Sequence, residues 1–229
     1  MNDNQIHRLD IPCELDAAEL IKRMRIPRGN DRLRESVKEM TEHALKAARP
    51  KALYRTASVR VIDRDTVEVE GICLTSRALS KNLEDQETVF PFVTTIGREL
   101  DELPLPPGSM MLKFYLDTVK TMVLVTAVDY LAAHIKATHG LAGSAHMNPG
   151  EIEDWPITEQ KPLFSVFGGV EKDIGLELKE SGIMKPVKSR SGIIFPNETG
   201  FLSCFLCTQK HCPGRKARYD TEKVKEYLE

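Results

Sequence analysis

Apolar positions along this chain change their spacing several times, and each change marks an element. Residues Asp16 to Met24 carry them at helical spacing over a short stretch. A longer helix is expected from about Asn30 to Ala48, with Asn30 or Asp31 as its cap and Pro50 as its stop. From Ala57 to Glu70 the spacing drops to two, with Val59, Val61, Val67 and Val69 as the apolar points and Asp63-Arg64-Asp65 as the turn between two strands. Thr75 to Leu83 reads as a short helix and Val89 to Ile96 as a buried strand. Pro104, Pro106, Pro107 and Gly108 then form a rigid break.

The dominant helix follows, roughly Ser109 to Thr138. Apolar residues nearly encircle it, which predicts a helix buried in the core. Gly140 and Gly143 end it and open a loop through Gly150. Helices are expected at Thr158 to Phe167 and Val170 to Glu180, with Phe167-Gly168-Gly169-Val170 as the break between them. A strand near Gly192 to Phe195 and a terminal helix from Thr221 to Leu228 complete the pattern. Strands and helices mix without regular β-α-β alternation, so the expected class is α+β.

The 229 residues, 41% hydrophobic and 29% charged, with a formal net charge of −2, have the balance of an ordinary globular domain. The near-neutral charge argues against broad nucleic-acid binding. The start, Met1-Asn2-Asp3-Asn4-Gln5, is polar and has no apolar signal core. Within Met110 to Ile135, Lys113, Asp117, Lys120 and Asp129 interrupt the apolar run. Its longest uncharged stretch, Thr121 to Val128, is too short for a bilayer, so no membrane is expected and a cytoplasmic location is.

Five cysteines are present, and three fall within nine residues: Cys204, Cys207 and Cys212. In a reducing compartment such a Cys-x2-Cys-x4-Cys cluster favours a metal over a disulfide. Three thiolates suit an iron–sulfur cluster with an open iron or an outside fourth ligand. They also suit zinc, with His211 as the obvious fourth partner. Free thiols and a Cys204–Cys207 redox pair remain as alternatives. Cys13 and Cys73 stand alone in apolar contexts and read as buried small side chains. His7, His43, His134 and His139 show no partner at ligand spacing.

Two stretches carry a family resemblance. One runs through Asn148-Pro149-Gly150, Asp154-Trp155-Pro156, Gln160 and Leu163-Phe164. The other comprises Ile174-Gly175-Leu176-Glu177-Leu178, Ser181, Met184-Lys185-Pro186, Lys188-Ser189 and Ser191-Gly192-Ile193. Together they resemble the reactivation domain of cobalamin-dependent methionine synthase, particularly its free-standing relatives. The resemblance implies one curved mixed domain with a twisted antiparallel sheet over residues 1–203. The cysteine loop and helix of 204–229 are appended to it.

It also implies a role: supporting reductive methylation of cob(II)alamin on a corrinoid protein or cobalamin-dependent methyltransferase, with S-adenosylmethionine as methyl donor and an electron-donor protein as a further partner. In the family the Pro-Gly turn and the Ser-x-Ser-Gly strand line the S-adenosylmethionine site. That designates Asn148, Pro149, Gly150, Ser189, Ser191 and Gly192, with Asp129 on the long helix matching an acidic residue that contacts the ligand. The family's ligand motif is an arginine, three residues, then Gly-Tyr. Here His146, Gly150 and Glu151 occupy those positions, so weakened S-adenosylmethionine binding is expected. The alternative is a non-catalytic corrinoid-protein cap or chaperone with a structural zinc. The cysteine loop resembles a variant in free-standing relatives, in which Cys212-Pro213-Gly214-Arg215 and Ala217, Tyr219 and Asp220 recur. A corrinoid needs a low-potential electron, and that context favours iron–sulfur.

Overall fold

The structure, a computed structural model, describes residues 5–26, 29–212 and 214–229; the polar start up to Asn4 and Pro213 of the cysteine loop lie outside them. The described chain runs β1 (Ile6–Asp10), α1 (Ala17–Arg23), α2 (Asp31–Ala47), β2 (Lys51–Arg55), β3 (Ala57–Val61), β4 (Thr66–Val69), β5 (Ile72–Thr75) and α3 (Arg77–Leu83). It continues through β6 (Thr88–Thr95), α4 (Arg98–Asp101), α5 (Met110–Thr138), β7 (Ser144–Met147), α6 (Gln160–Ser165), β8 (Glu177–Leu178), β9 (Met184–Lys185), β10 (Ser189–Pro196) and α7 (Thr221–Leu228).

Side-chain caps set several helix starts. Asp16 Oδ1 accepts from Glu19 N at 2.8 Å, Asn30 Oδ1 from Leu33 N at 3.1 Å and Ser76 Oγ from Leu79 N at 3.0 Å. Each satisfies one backbone donor of a first helical turn.

An antiparallel sheet of eight strands is centred on β6. One edge of β6 pairs with β10, from Ser189 opposite Thr95 to Ile194 opposite Phe90, and β7 extends the sheet beyond β10. The other edge is shared. β2 takes residues 92–95 and leads to β1, whereas β3 takes 88–89 and leads to β4 and β5. Arg55, buried at the end of β2 where the branches part, donates to the Val166 carbonyl at 2.7 Å and to Glu70 at 3.1 Å. Burying a guanidinium is tolerable only with such partners. β8 and β9 form a separate two-stranded hairpin.

One face of the sheet packs Tyr54, Phe90, Phe92 and Ile194 against Ala127, Leu131 and Ile135 of α5. Val67, Leu74, Val89, Met147, Ile193 and Phe195 form another cluster with Trp155 and Leu163. The first half of α5 packs on α2 through Val119 and Val123 against Val37, Met40 and Ala44.

Several expectations need correction. Core does not surround α5. Met110 is 81% exposed and Phe114 64%, so only one stripe of the helix is covered. The helix is long and apolar enough to cross a membrane by length and composition, yet here its buried stripe covers the sheet and α2. The expected helix from Val170 to Glu180 is a short 3-10 turn, Val170–Ile174, followed by β8; Gly175, at φ 75°, ends the turn in a left-handed conformation. Thr158 to Phe167 is a 3-10 turn followed by six residues of α-helix. Cys73 is exposed, on the outward side of β5, whereas Cys13 is half-buried.

One-sided burial of α5 has a measurable consequence. Leu131→Ala, at a fully buried position, should cost about 3 kcal/mol of unfolding free energy. Phe114→Ala should change it by about 0.5 kcal/mol or less. Chemical denaturation of both variants checks this, and equal large losses would contradict it.

Candidate functional site

Strand alternation sorts the candidate residues. In β10, Ile193 and Phe195 belong to the Trp155 cluster, whereas Ile194 packs on α5. Residues 190, 192 and 194 therefore face α5, and 189 and 191 face away. Ile194 lies opposite His146 of β7, which puts His146 on the α5 side too. The structure thus separates Ser189 and Ser191 from the remaining candidates. Ser189 Oγ donates to the Pro186 carbonyl at 2.7 Å, and Ser191 is buried with its carbonyl accepting from Asn148 Nδ2 at 2.6 Å.

Glycine is required twice. A Cβ on Gly192 would lie 2.3 Å from Met147 O and 2.4 Å from Asn148 Nδ2, so a side chain there would force β7 off β10. Gly150, at φ 87°, makes the turn after the buried Asn148 and Pro149, and its N–H donates to Trp155 O at 2.7 Å.

The turn presents Glu151 to Arg190 of β10 and to Ser203 and Lys216 of the segment that follows it. Arg190 Nη1 of β10 lies 3.7 Å from Glu151 Oε1, each side chain about one-third exposed. The Ser203 hydroxyl, with one proton to give, lies within reach of the Glu151 carboxylate and, at 3.5 Å, of the His146 carbonyl. Lys216 Nζ reaches across to Asp129 of α5 at 3.9 Å, with both groups some 60% exposed. Asp129 is thus a surface carboxylate facing Lys216. A pair this exposed contributes about 1 kcal/mol or less.

Burial sets the charge states. It holds His146 neutral, with its pKa lowered from 6.5 to about 4, and the positive charges of Arg190 and Lys216 act the same way. Burial also raises the Glu151 carboxyl, against the opposing pull of Arg190, the Ser203 hydrogen bond and Lys216.

The cysteine loop forms one wall of this region. A cavity of about 370 Å³ lies between Gly150–Glu153, Pro156 and Ile157 on one side and Cys207–Gln209 on the other. Thr208 Oγ1 donates to Glu153 at 3.5 Å. Another cavity, of about 380 Å³, is lined by Ile6, Arg8, Leu53 and Asp173 and touches none of the candidates.

The loop is organised about Arg215. Its guanidinium donates to the carbonyls of Cys204 (3.2 Å), Cys207 (2.9 Å), Gln209 (2.6 Å) and Ala217 (3.0 Å). Cys207 N donates to Cys204 O at 3.4 Å, closing the Cys-x2-Cys turn, and Lys216 N donates to Cys204 Sγ at 3.4 Å. All three thiols are half-buried, whereas His211 is exposed. Among the described residues no three His, Cys, Asp or Glu side chains gather as a ligand set. In this conformation the loop therefore does not fit a three-thiolate metal site.

Sequence reasoning missed two groupings. Arg190 sits between two designated serines, and its signal was the alternation that turns it to the opposite face. Three of the histidines read as lacking partners meet around Tyr54. His7 stacks on its ring at 4.8 Å, His134 Nε2 lies 3.4 Å from its hydroxyl, and His139 packs edge-on at 6.1 Å. These contacts join segments up to 85 residues or so apart, which no local spacing reveals.

Comparison with known proteins bears on the fold. No family model matches the sequence, and no curated protein matches it. Among solved structures, the chain is similar to the crystal structure of the MetH reactivation domain bound to AdoHcy, with a TM-score of 0.64 and 14% identity over 86% of this chain and 80% of that one. The class is thereby defined: this is a mixed α+β domain with the reactivation-domain fold.

Two outcomes follow from the charge states and the loop. His146 is depressed in the folded state, so its contribution is complete above pH 6.5 and is lost as pH falls toward about 4. The loss is on the order of 3 kcal/mol. Glu151 has the opposite sign: acidification relieves the cost of burying its charge. Unfolding free energy measured from pH 7 to 4 should fall less steeply in His146→Gln than in the parent, and more steeply in Glu151→Gln. In the loop, Arg215→Ala leaves four carbonyls without their donor and should expose residues 204–217 to proteolysis while changing global stability by about 3 kcal/mol or less. Limited proteolysis with mass spectrometry reads this directly, and an unchanged cleavage pattern would remove Arg215 from the centre of the loop.

Proposed function

We propose that the chain is a reactivation protein for a corrinoid-dependent methyltransferase, methionine synthase or a relative, acting in the cytoplasm. It caps a partner's cobalamin and supports reductive methylation of cob(II)alamin with S-adenosylmethionine held in the cleft. The observation that carries the reading is the likeness of 86% of the chain to the MetH reactivation domain, a domain solved with AdoHcy. The cavity lined by Gly150 and Glu151, with the charges of Arg190 and Lys216 bearing on both Glu151 and His146, supports it.

The chain's own residues supply binding and orientation. Gly150 allows the tight turn, and Asn148 fixes that turn to β10. The loop residues Cys207 to Gln209 form one wall of the cavity, and Ser203 lies beside Glu151. Ser189 and Ser191 support the strand from its other face. The partner is a corrinoid protein, and an electron-donor protein completes the reaction.

Cys204, Cys207 and Cys212 are assigned to an iron–sulfur cluster or zinc. Loading requires the three sulfurs to come together against the frame that Arg215 holds, so the assignment includes a loop rearrangement. Anaerobically purified protein should contain stoichiometric iron with sulfide, or zinc, and Cys207→Ser should abolish it. Free alkylation of all three thiols in metal-replete protein would end the assignment.

A second reading is a non-catalytic cap or chaperone that no longer takes S-adenosylmethionine. Glu151, a partly buried acid lining the cavity, favours it by opposing a ligand carboxylate. Both readings require a corrinoid partner, and capture of a corrinoid protein poised as cob(II)alamin and as methylcobalamin tests that requirement. Preferential retention of the cob(II)alamin form is expected, because a cap with equal affinity for both states shifts neither. Equal retention of both, or of neither, would contradict the reactivation role.

A further inference from the structure

His146 is neutral at pH 7 and offers no cation to a ligand carboxylate. The positive charges that bear on it are Arg190 and Lys216. Lys216 already faces Asp129 across the loop, and Arg215, next to it, is committed to four backbone carbonyls. Arg190 is held differently. Among the described residues its guanidinium meets only Glu151, at 3.7 Å, beyond hydrogen-bond distance. Its position 190 on β10 shares the α5 side with His146, and Glu151 itself lines the cavity. A carboxylate entering where the Glu151 carboxylate now sits would find a guanidinium with its donors uncommitted, the arrangement that planar bidentate recognition needs.

We propose that Arg190 is the residue that recognises the ligand's carboxylate in this cleft, and that Glu151 is the internal counter-ion which that carboxylate displaces. The inference rests on the adenosyl-ligand reading above and adds to it the residue that selects for the ligand's amino-acid carboxylate. Glu151 is well suited to give way. Its contact with Arg190 is long and partly buried, so the present pair recovers little of the cost of desolvating both charges. A ligand carboxylate that reaches closer gains a charge-assisted hydrogen bond that Glu151 does not make. Displacement also relieves the burial of the glutamate, provided its side chain turns toward solvent or takes up a proton. The cleft therefore selects by exchange of one carboxylate for another, and a ligand without one has nothing to exchange.

Titration calorimetry with two probes tests this: S-adenosylhomocysteine, and 5′-methylthioadenosine, which lacks the amino-acid carboxylate. Parent protein should prefer S-adenosylhomocysteine. Arg190→Gln should weaken that ligand about 30-fold, as expected for loss of a charge-assisted contact, and change 5′-methylthioadenosine about twofold or less. Arg190→Lys should recover part of the loss, and Glu151→Gln should tighten S-adenosylhomocysteine alone. Thermal unfolding reports on folding of each variant; if Arg190→Gln does not fold, Glu151→Gln decides, and an unchanged preference in it overturns the proposal. Equal affinity of the parent for both probes, or equal loss of both in Arg190→Gln, overturns the role of Arg190 and leaves the adenosyl reading standing. Failure of the parent to bind either probe overturns both.

Discussion

β10 is hydrogen-bonded along both edges, to β6 on one side and β7 on the other, and its register decides what faces the cleft. Six consecutive residues of β10 are opposite β6, and four are opposite β7. A shift of one residue would exchange Arg190 and Ser191 between faces and carry Ile193 out of the Trp155 cluster. The register is locked by close contact at Gly192, where the backbone of Met147 and the amide of Asn148 occupy the space of a side chain. The same Asn148 amide bonds the Ser191 carbonyl. Strand pairing, the Pro149-Gly150 turn and the position of Glu151 are thus parts of one constraint.

That constraint explains why charged residues from distant segments meet without a deep pocket. β7 brings His146, β10 brings Arg190, α5 brings Asp129, and the loop after β10 returns with Ser203 and Lys216. Arg190, Lys216 and Asp129 are only partly covered, so they keep their charges at modest desolvation cost, whereas burial leaves His146 neutral and raises the Glu151 carboxyl. A site assembled in this way depends on the loop. Removing the loop would take away Cys207 to Gln209 as one wall of the cavity, along with the hydroxyl that lies beside Glu151.

Much of this architecture was legible in the sequence where one element is amphipathic or long. The Asn30 cap, the alternation from Val59 to Val69 and the extent of the long helix all match observed elements. β2 was not legible. Its five residues include Lys51 and Arg55, the pattern shows no alternation, and Arg55 is buried only because Val166 and Glu70 supply acceptors from elsewhere. β1 and β7 are short strands whose partners lie far along the chain, so their identity comes from pairing and not from local preference. The apolar ring around α5 misled for a different reason. Composition does not say which side a neighbour covers, and folded proteins leave many apolar side chains in water.

The site was legible as a neighbourhood and not as a list of contacts. Motif spacing pointed to one turn and one strand, but a Ser-x-Ser-Gly motif read as a string gives every residue the same direction. The pleat does not. Ser189 and Ser191 are set by the strand to one face, and the residue between them, passed over because it fits no motif, is the one that reaches Glu151. The cysteines show the converse. Their spacing suggested one coordination sphere, yet in this conformation a guanidinium holds the loop's carbonyls, and among the described residues the sulfurs join no three-member ligand set. Closeness in sequence limits how far apart groups can be, and only the backbone's hydrogen-bonding decides which of them point at one another.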